Sequence, residues 1–421
     1  MSAEGGIGAP EGRIATLDIV RGVAVMGILA MNIVGFALPE AAYLNPLAAG
    51  HEGPADIASW VVSFVFVDGK MRGLFSFLFG ASMLLVIDRA EAAGQAGAGV
   101  HFRRMAWLLV FGLLHFYLVW CGDILSLYAP VGMIAFLFRR SPPRLLVAVA
   151  GALLLFQLLM FLGVALDTAG TAAAVAAHRA DADTLAAWNE VRQGFGLYTA
   201  DELARTLAIY RGSWPGIVAA NFAENGYLPL ASLSFMGPET LAYMLLGMAA
   251  LRTGFLTGAW SDRAYARVLA GGFAIGIPAY GLLAWWCVRD GFAVPTLVAA
   301  YLPGALPFRP PMIVAIAALV ILATRRGGLL AARIAAAGRA AFTNYLGTSL
   351  LMTAIFYGWG LGLFGHVRRV ELWLFVIGAW ALMLLWSKPW LERFNYGPFE
   401  WLWRSLARWS PQPMRRGVAA R

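Results

Sequence analysis

Apolar residues run in long blocks along this chain, and polar residues cluster in short intervals between them. A helix needs roughly 20 predominantly apolar residues to cross the hydrocarbon core of a bilayer. On that measure ten blocks read as membrane spans: 14–37, 71–87, 104–120, 124–138, 145–165, 239–253, 267–288, 311–324, 340–360 and 370–386. A short amphipathic piece, 55–67, precedes the second span, and 214–235 reads as a re-entrant or interfacial lead-in to the sixth. The longest polar stretch, 167–212, carries a helical Ala/Asp/Glu/Arg pattern from 183 to 211. Beyond the tenth span, Trp390, Trp401, Trp403 and Trp409 share a segment with Arg404 and Arg408, the pattern of an amphipathic helix lying at a membrane surface. The pattern predicts an all-α polytopic bundle in four parts. These are a five-span half (1–166), an extracytoplasmic polar helical loop (167–212), a second five-span half (213–388) and an amphipathic cytoplasmic tail (389–421).

Composition agrees with lipid as the solvent. Only 13% of the 421 residues are charged and 60% are hydrophobic, against about 25% charged in soluble domains. The net charge of +9 does not indicate nucleic acid, because the arginines sit in short intervals between apolar blocks. Arg89, Arg103 and Arg104, then Arg139, Arg140 and Arg144, then Arg252, Arg263 and Arg267, then Arg325, Arg326, Arg333 and Arg339 occupy every second interval. Arg404, Arg408, Arg415, Arg416 and Arg421 follow in the tail. Positive charge is retained on the inner side, so both termini are expected in the cytoplasm. Arg368 and Arg369 break the rule, since the same count places them outside. Met1 to Arg13 lack the basic and small-residue signature of a cleaved signal.

Little of the chain matches a soluble-enzyme motif. Cys121 and Cys287 lie in apolar context without metal-ligand spacing, and His51, His101, His178 and His366 show none either. No metal site is expected. The glycines at 358, 360, 362 and 365 lack the strand–helix context of a dinucleotide fingerprint.

The informative residues are polar groups inside apolar blocks, which are costly unless paired or used. His115 stands in the third span with Asp123 just past its outer end. If the chain turns over at Gly122, Asp123 reaches back and orients the imidazole, the arrangement of a general base. The same pair also suits a proton relay. Asp18 and Arg21 share a helix face in the first span, as an ion pair or as an anchor for a phosphate-bearing ligand. Asn32 lies further along that span. Glu239, after Gly237-Pro238, reads as the start of the sixth span, with a negative charge suited to a helix N-terminus. Asn344, with Ser349, suits hydrogen bonding between helices or contact with substrate.

Leu17-Asp18 with Arg21-Gly22 and Asn32, Leu78-Phe79-Gly80, and Gly112-Leu113-Leu114-His115 with Trp120 and Asp123-Ile124-Leu125 resemble the N-terminal half of the YeiB-like bacterial inner-membrane proteins. Gly338-Arg339-Ala340-Ala341-Phe342-Thr343-Asn344-Tyr345 and Gly397-Pro398-Phe399-Glu400-Trp401 resemble that family's C-terminal domain of unknown function 418. The resemblance implies a multi-pass protein of the bacterial inner membrane. The opening Leu-Asp-x-x-Arg-Gly with Asn32 also looks like the first helix of membrane acyltransferases, including sugar O-acyltransferases and heparan glucosaminide acetyltransferase. The O-acyltransferases have histidine where this chain has Asn32, and the glucosaminide enzyme has asparagine. Its later histidine motif has no clear match here, so that resemblance would leave the base role to His115.

The expected function is therefore transfer of an acyl group from an acyl-coenzyme A donor, held at the cytoplasmic side near Arg21, to a hydroxyl or amine of an envelope sugar, lipid or glycan. No covalently bound cofactor is expected, and the oligomeric state is left open. A proton-coupled carrier using His115 and Asp123 is the alternative; it should show helices broken near the midplane in both halves, and the sequence gives no sign of them. A non-catalytic scaffold is the third, in which His115 is fully hydrogen-bonded and no cavity lies beside it.

Overall fold

The computed structural model describes residues 14–49 and 53–416. His51, the segment Met1 to Arg13 and Arg421 lie outside these residues. Apart from one isolated bridge between Phe394 and Arg415, the described residues form helices, turns and loops. In chain order the helices are α1 (Ala15–Ala37), α2 (Pro54–Phe66), α3 (Lys70–Ala92), α4 (Gly97–Leu118), α5 (Leu125–Ala135) and α6 (Pro143–Ala176). Then come α7 (Ala182–Phe195), α8 (Ala200–Tyr210), α9 (Trp214–Asn225), α10 (Leu228–Arg252), α11 (Asp262–Arg289) and α12 (Val294–Ala299). The last five are α13 (Arg309–Thr324), α14 (Leu329–Arg339), α15 (Ala341–Phe356), α16 (Leu372–Arg393) and α17 (Pro398–Arg408).

Among the described residues, six stretches are long and apolar enough to cross a membrane: Ala15–Ala37, Pro54–Ala92, Pro143–Ala176, Asp262–Arg289, Val294–Thr324 and Leu372–Arg393. The other four expected spans are helical but do not meet that standard. α5 and α15 are short, at 11 and 16 residues. α4 and α10 are long but carry Arg103, Arg104 and His115, or Ser232, Ser234 and Glu239. Helices of that kind are tolerated in lipid when neighbours cover them.

α1 is the axis of the bundle, packed by α3, α13, α14, α15 and α16. Its residues Val20, Ala24, Val25 and Leu29 are buried. α6, α11 and α16 line the outside and leave Leu155, Phe156, Leu159, Leu282, Leu374 and Leu385 exposed, as lipid contact requires. Between helices in lipid, close backbone approach replaces the hydrophobic effect as the attraction. α3 and α10 meet in this way at Gly247, where a Cβ would run into the Phe77 carbonyl, and at Gly80, where it would run into that of Met244. Gly247→Val should therefore force the two helices apart. The expected result is loss of monodisperse protein in detergent size-exclusion chromatography, with Gly271→Val, at an open position, behaving as wild type.

Two apolar stretches are interrupted, each outside the spans outlined from the sequence. The helix breaks at Val67-Asp68-Gly69 between α2 and α3, where Gly69 has φ +68°. Between α12 and α13 it passes through a π-turn at Ala300–Gly304 and a 3-10 turn at Leu306–Phe308. The first falls between the amphipathic piece at 55–67 and the span at 71–87, and the second lies ahead of the span at 311–324.

Those breaks place Arg72 and Arg309 against Glu239. The carboxylate accepts from Arg72 Nη2 at 2.6 Å, Arg309 Nη1 at 3.0 Å and the Tyr243 hydroxyl at 2.7 Å. Glu239 thus lies well inside α10, which starts at Leu228, and not at a helix N-terminus as the sequence suggested. Arg368 and Arg369 also find a structural explanation. Arg368 pairs with Asp56 at 2.5 Å, and Arg369 is buried and donates to the Ala42 carbonyl. Both are consumed in tertiary contacts, so they do not act as loose loop charges.

Candidate functional site

The end of α4 is built to turn back on itself. The amides of Val119 and Trp120 both donate to the His115 carbonyl, at 3.0 and 2.9 Å, which closes the helix over that residue. At Gly122 a Cβ would meet the Trp120 indole, so only glycine lets the chain pass. Asp123 then folds back toward the helix it has left. Its Oδ1 accepts from His115 Nδ1 at 2.9 Å, and its Oδ2 accepts from the Ser126 amide in the first turn of α5 at 2.7 Å. Both side chains are almost fully buried, at 3% and 0% exposure. With Nδ1–H committed to the carboxylate, His115 Nε2 carries the lone pair. That nitrogen is buried and has no hydrogen-bond partner.

A cavity of about 460 Å³ rises beside the pair from the opposite end of the bundle. Its basic end is formed by Arg21, Arg89, Arg104, Arg339 and Arg404, with Asp18 and Glu400 as the carboxylates among its walls. Its inner part is apolar, with Ile28, Phe75, Phe79, Met105 and Leu108, and it stops at Ile124, Leu125 and Tyr345. Tyr345 is in contact with both features: its ring centroid is 5.3 Å from that of His115, and its hydroxyl accepts from the Ile124 amide at 3.3 Å. Along α4, residues 104 to 115 span about 16 Å at 1.5 Å per residue. That distance separates the basic end from the histidine.

The first turn of α15 carries Tyr345, and α17 holds that turn in place. The Glu400 carboxylate accepts from the Phe342 amide at 2.7 Å, the Thr343 amide at 3.1 Å and the Thr343 hydroxyl at 2.5 Å. It caps a helix to which it does not belong. Burial pushes the Glu400 carboxyl above its ordinary range, against the pull of those hydrogen bonds. Arg104 lies over the Trp403 ring at 4.1 Å, and the Trp403 indole donates to the Arg104 carbonyl at 2.9 Å. The tail is therefore a wall of the cavity.

The residues singled out from the sequence separate into groups. Asp18 and Arg21 pair at 3.0 Å and line the cavity, and Arg21 also donates to the Ser82 hydroxyl at 2.8 Å. Asn32 is half-buried further along α1 and does not line the cavity. Asn344 is buried between helices; it donates to the Ala337 carbonyl at 3.0 Å and accepts from the Trp386 indole at 2.9 Å. Glu239 is fixed by its two arginines, away from the cavity. Sequence reasoning missed His101, Tyr345 and Glu400 as cavity residues and counted Arg89, Arg104, Arg339 and Arg404 only as topology signals. The one available clue was that Arg339, Tyr345 and Glu400 sit within the two C-terminal blocks that carried the family resemblance. Among the described residues no cluster of three or more His, Cys, Asp or Glu could hold a metal ion.

Comparison with known proteins places this arrangement. A family model described as "Protein of unknown function (DUF418)" matches residues 250–410. The Escherichia coli (strain K12) protein YeiB is 34% identical over 411 residues, covering 94% of this chain and 96% of YeiB. The chain belongs to the DUF418 family. Bacillus subtilis (strain 168) YxaH is 33% identical over 412 residues, 96% of each chain. A 39.9 kDa protein from the amylase 3′ region of Bacillus acidopullulyticus is 24% identical over 404 residues, 94% of each. No solved structure matches. In this DUF418 protein the family-model region contributes Arg339, Tyr345, Glu400 and Arg404 to the cavity and the segment 14–125 supplies the other wall, with the His115–Asp123 pair outside the lining.

Proposed function

We propose that this DUF418 protein is an integral membrane acyltransferase. The observation that carries the reading is the buried His115–Asp123 pair, with Nε2 unpartnered, one residue layer from a basic-ended apolar cavity. An acyl-coenzyme A donor suits that cavity, with its phosphates among the arginines and its acyl arm directed toward Tyr345. His115 Nε2 takes the proton from an acceptor hydroxyl or amine, and the acceptor atom attacks the acyl carbonyl. The carbon–sulfur bond breaks, and the leaving thiolate recovers a proton from the imidazolium. Asp123 holds the ring and balances its charge while it is protonated.

The topology proposed here has ten spans with both termini cytoplasmic, in the bacterial inner membrane. Loop arginines in alternate intervals support it, and the tertiary contacts of Arg368 and Arg369 remove the exception. The basic end of the cavity then faces the cytoplasm, where acyl-coenzyme A is available. The acceptor, an envelope sugar, lipid or glycan, approaches His115 from the other side.

A second reading, a proton-coupled carrier, draws support from the breaks at 67–69 and 300–308, one in each half of the chain. Inverted membrane vesicles separate the two. Radiolabelled acetyl- or longer acyl-coenzyme A added outside should pass label to membrane or lumenal material in a protein-dependent way. A proton flux tied to solute movement, with no label transferred from any donor, would overturn the enzyme reading in favour of the carrier.

A further inference from the structure

His115 Nε2 and the cavity are close but not joined, and one side chain stands at the boundary. The Tyr345 ring lines the inner end of the cavity and lies 5.3 Å, centroid to centroid, from the His115 ring. Its hydroxyl accepts from the Ile124 amide, next to Asp123 in the chain, at 3.3 Å. Asp123 thus accepts from His115 Nδ1 and the Ser126 amide, and the turn that carries it is held by the Tyr345 hydroxyl through the Ile124 amide. Tyr345 itself is held from the cytoplasmic end, because the turn of α15 that carries it is capped by Glu400 of α17.

We infer that Tyr345 is the positioning residue of the site, whose hydroxyl, bonded to the Ile124 amide, holds the turn that keeps Asp123 in line with His115, and whose ring separates His115 Nε2 from the cavity until ligand displaces it. A buried imidazole nitrogen without a partner is costly. Its persistence beside an accessible cavity requires a barrier that keeps water out, and an aromatic ring tethered by its hydroxyl provides one. Rotation of one side chain then opens the path, without movement of a helix. This inference rests on the acyltransferase reading for its kinetic consequence, but not for its structural one.

The test uses the full-length protein in detergent and two substitutions. Modification of His115 by diethyl pyrocarbonate, followed by mass spectrometry of the peptide containing it, reports access to Nε2 whatever reaction the protein carries out. Wild type should react slowly and Tyr345→Phe similarly, since the ring remains. Tyr345→Ala should react severalfold faster, and Tyr345→Leu should do the same if the alanine variant does not fold. In the transfer assay Tyr345→Phe should lower kcat severalfold, because the turn that carries Asp123 loses its bond to the hydroxyl, with KM for the donor unchanged. A Tyr345→Ala or Tyr345→Leu variant in which His115 stays as protected as in wild type would overturn the barrier. A Tyr345→Phe variant with wild-type kcat would overturn the positioning role. Failure of wild type to transfer any acyl group would count against the enzyme reading alone, and the labelling would still decide the barrier.

Discussion

Replacing His115 with alanine should abolish acyl transfer while leaving donor binding near the wild-type level. A positioned general base contributes about a hundred- to ten-thousand-fold to the rate, and nothing else near the cavity's inner end offers an unpartnered buried base. Asp123→Asn should lose a comparable amount for a different reason. An asparagine in the same place can present its amide N–H to His115 Nδ1, which moves the ring proton to Nε2 and leaves no lone pair to accept from substrate. The double variant His115→Ala/Asp123→Asn should be no slower than the histidine variant alone, because residues that act as a unit are not additive. Single-turnover transfer rates of the three proteins check this. A double variant slower than His115→Ala by the full product of the two single effects would show that Asp123 works independently of the histidine.

Glu239→Gln should be the most destabilising single substitution in the bundle core. The side chain keeps its shape but loses the charge that neutralises Arg72 at 2.6 Å and Arg309 at 3.0 Å. All three side chains are largely buried, at 1%, 17% and 7% exposure. Removing one partner from a buried ion pair costs about 3–5 kcal/mol, because the charge left behind stays out of water. The expected readout is a large drop in the midpoint of thermal unfolding, followed by fluorescence in detergent, with little folded protein recovered. Replacing the whole cluster, as Glu239→Met/Arg72→Met/Arg309→Met, should recover much of the loss, since no uncompensated charge then remains. If Glu239→Gln melts at the wild-type temperature, the cluster is not what holds the broken ends of α3 and α13 against α10.

The sequence conveyed the bundle more readily than the site. Apolar blocks are a strong signal, and the helices over 14–37, 145–165, 267–288 and 370–386 lie where the blocks indicated. The break at 67–69 falls between the segments read at 55–67 and 71–87, whereas the π-turn at 300–304 was not read, because its mostly apolar residues differ little in composition from a helix. Glu239 shows the same limit. Gly237-Pro238 looks like a helix start, yet Pro238 is accommodated inside α10, as helices in lipid allow when neighbours satisfy the freed backbone groups.

For the site, a local relation was readable and long-range ones were not. His115 and Asp123 are eight residues apart across one turn, so their pairing could be anticipated from Gly122. Tyr345 reaches the same turn, at the Ile124 amide, from the opposite half of the chain, and Glu400 caps a helix begun at Ala341. No spacing rule connects such positions. The loop arginines were read for topology, which is what such residues usually report, and four of them also converge with Arg21 on one cavity.

The most direct measurement of the central claim is equilibrium binding of radiolabelled acyl-coenzyme A, over a range of acyl lengths, to the purified protein in detergent. Wild type and Arg89→Gln/Arg404→Gln would be compared at low and high salt. An acyl-donor site with an arginine-lined end requires saturable binding that weakens in the double variant and as salt rises. Absence of saturable binding at every acyl length, by wild-type protein that is folded and monodisperse, would contradict the assignment of the cavity as a donor site and with it the acyltransferase reading.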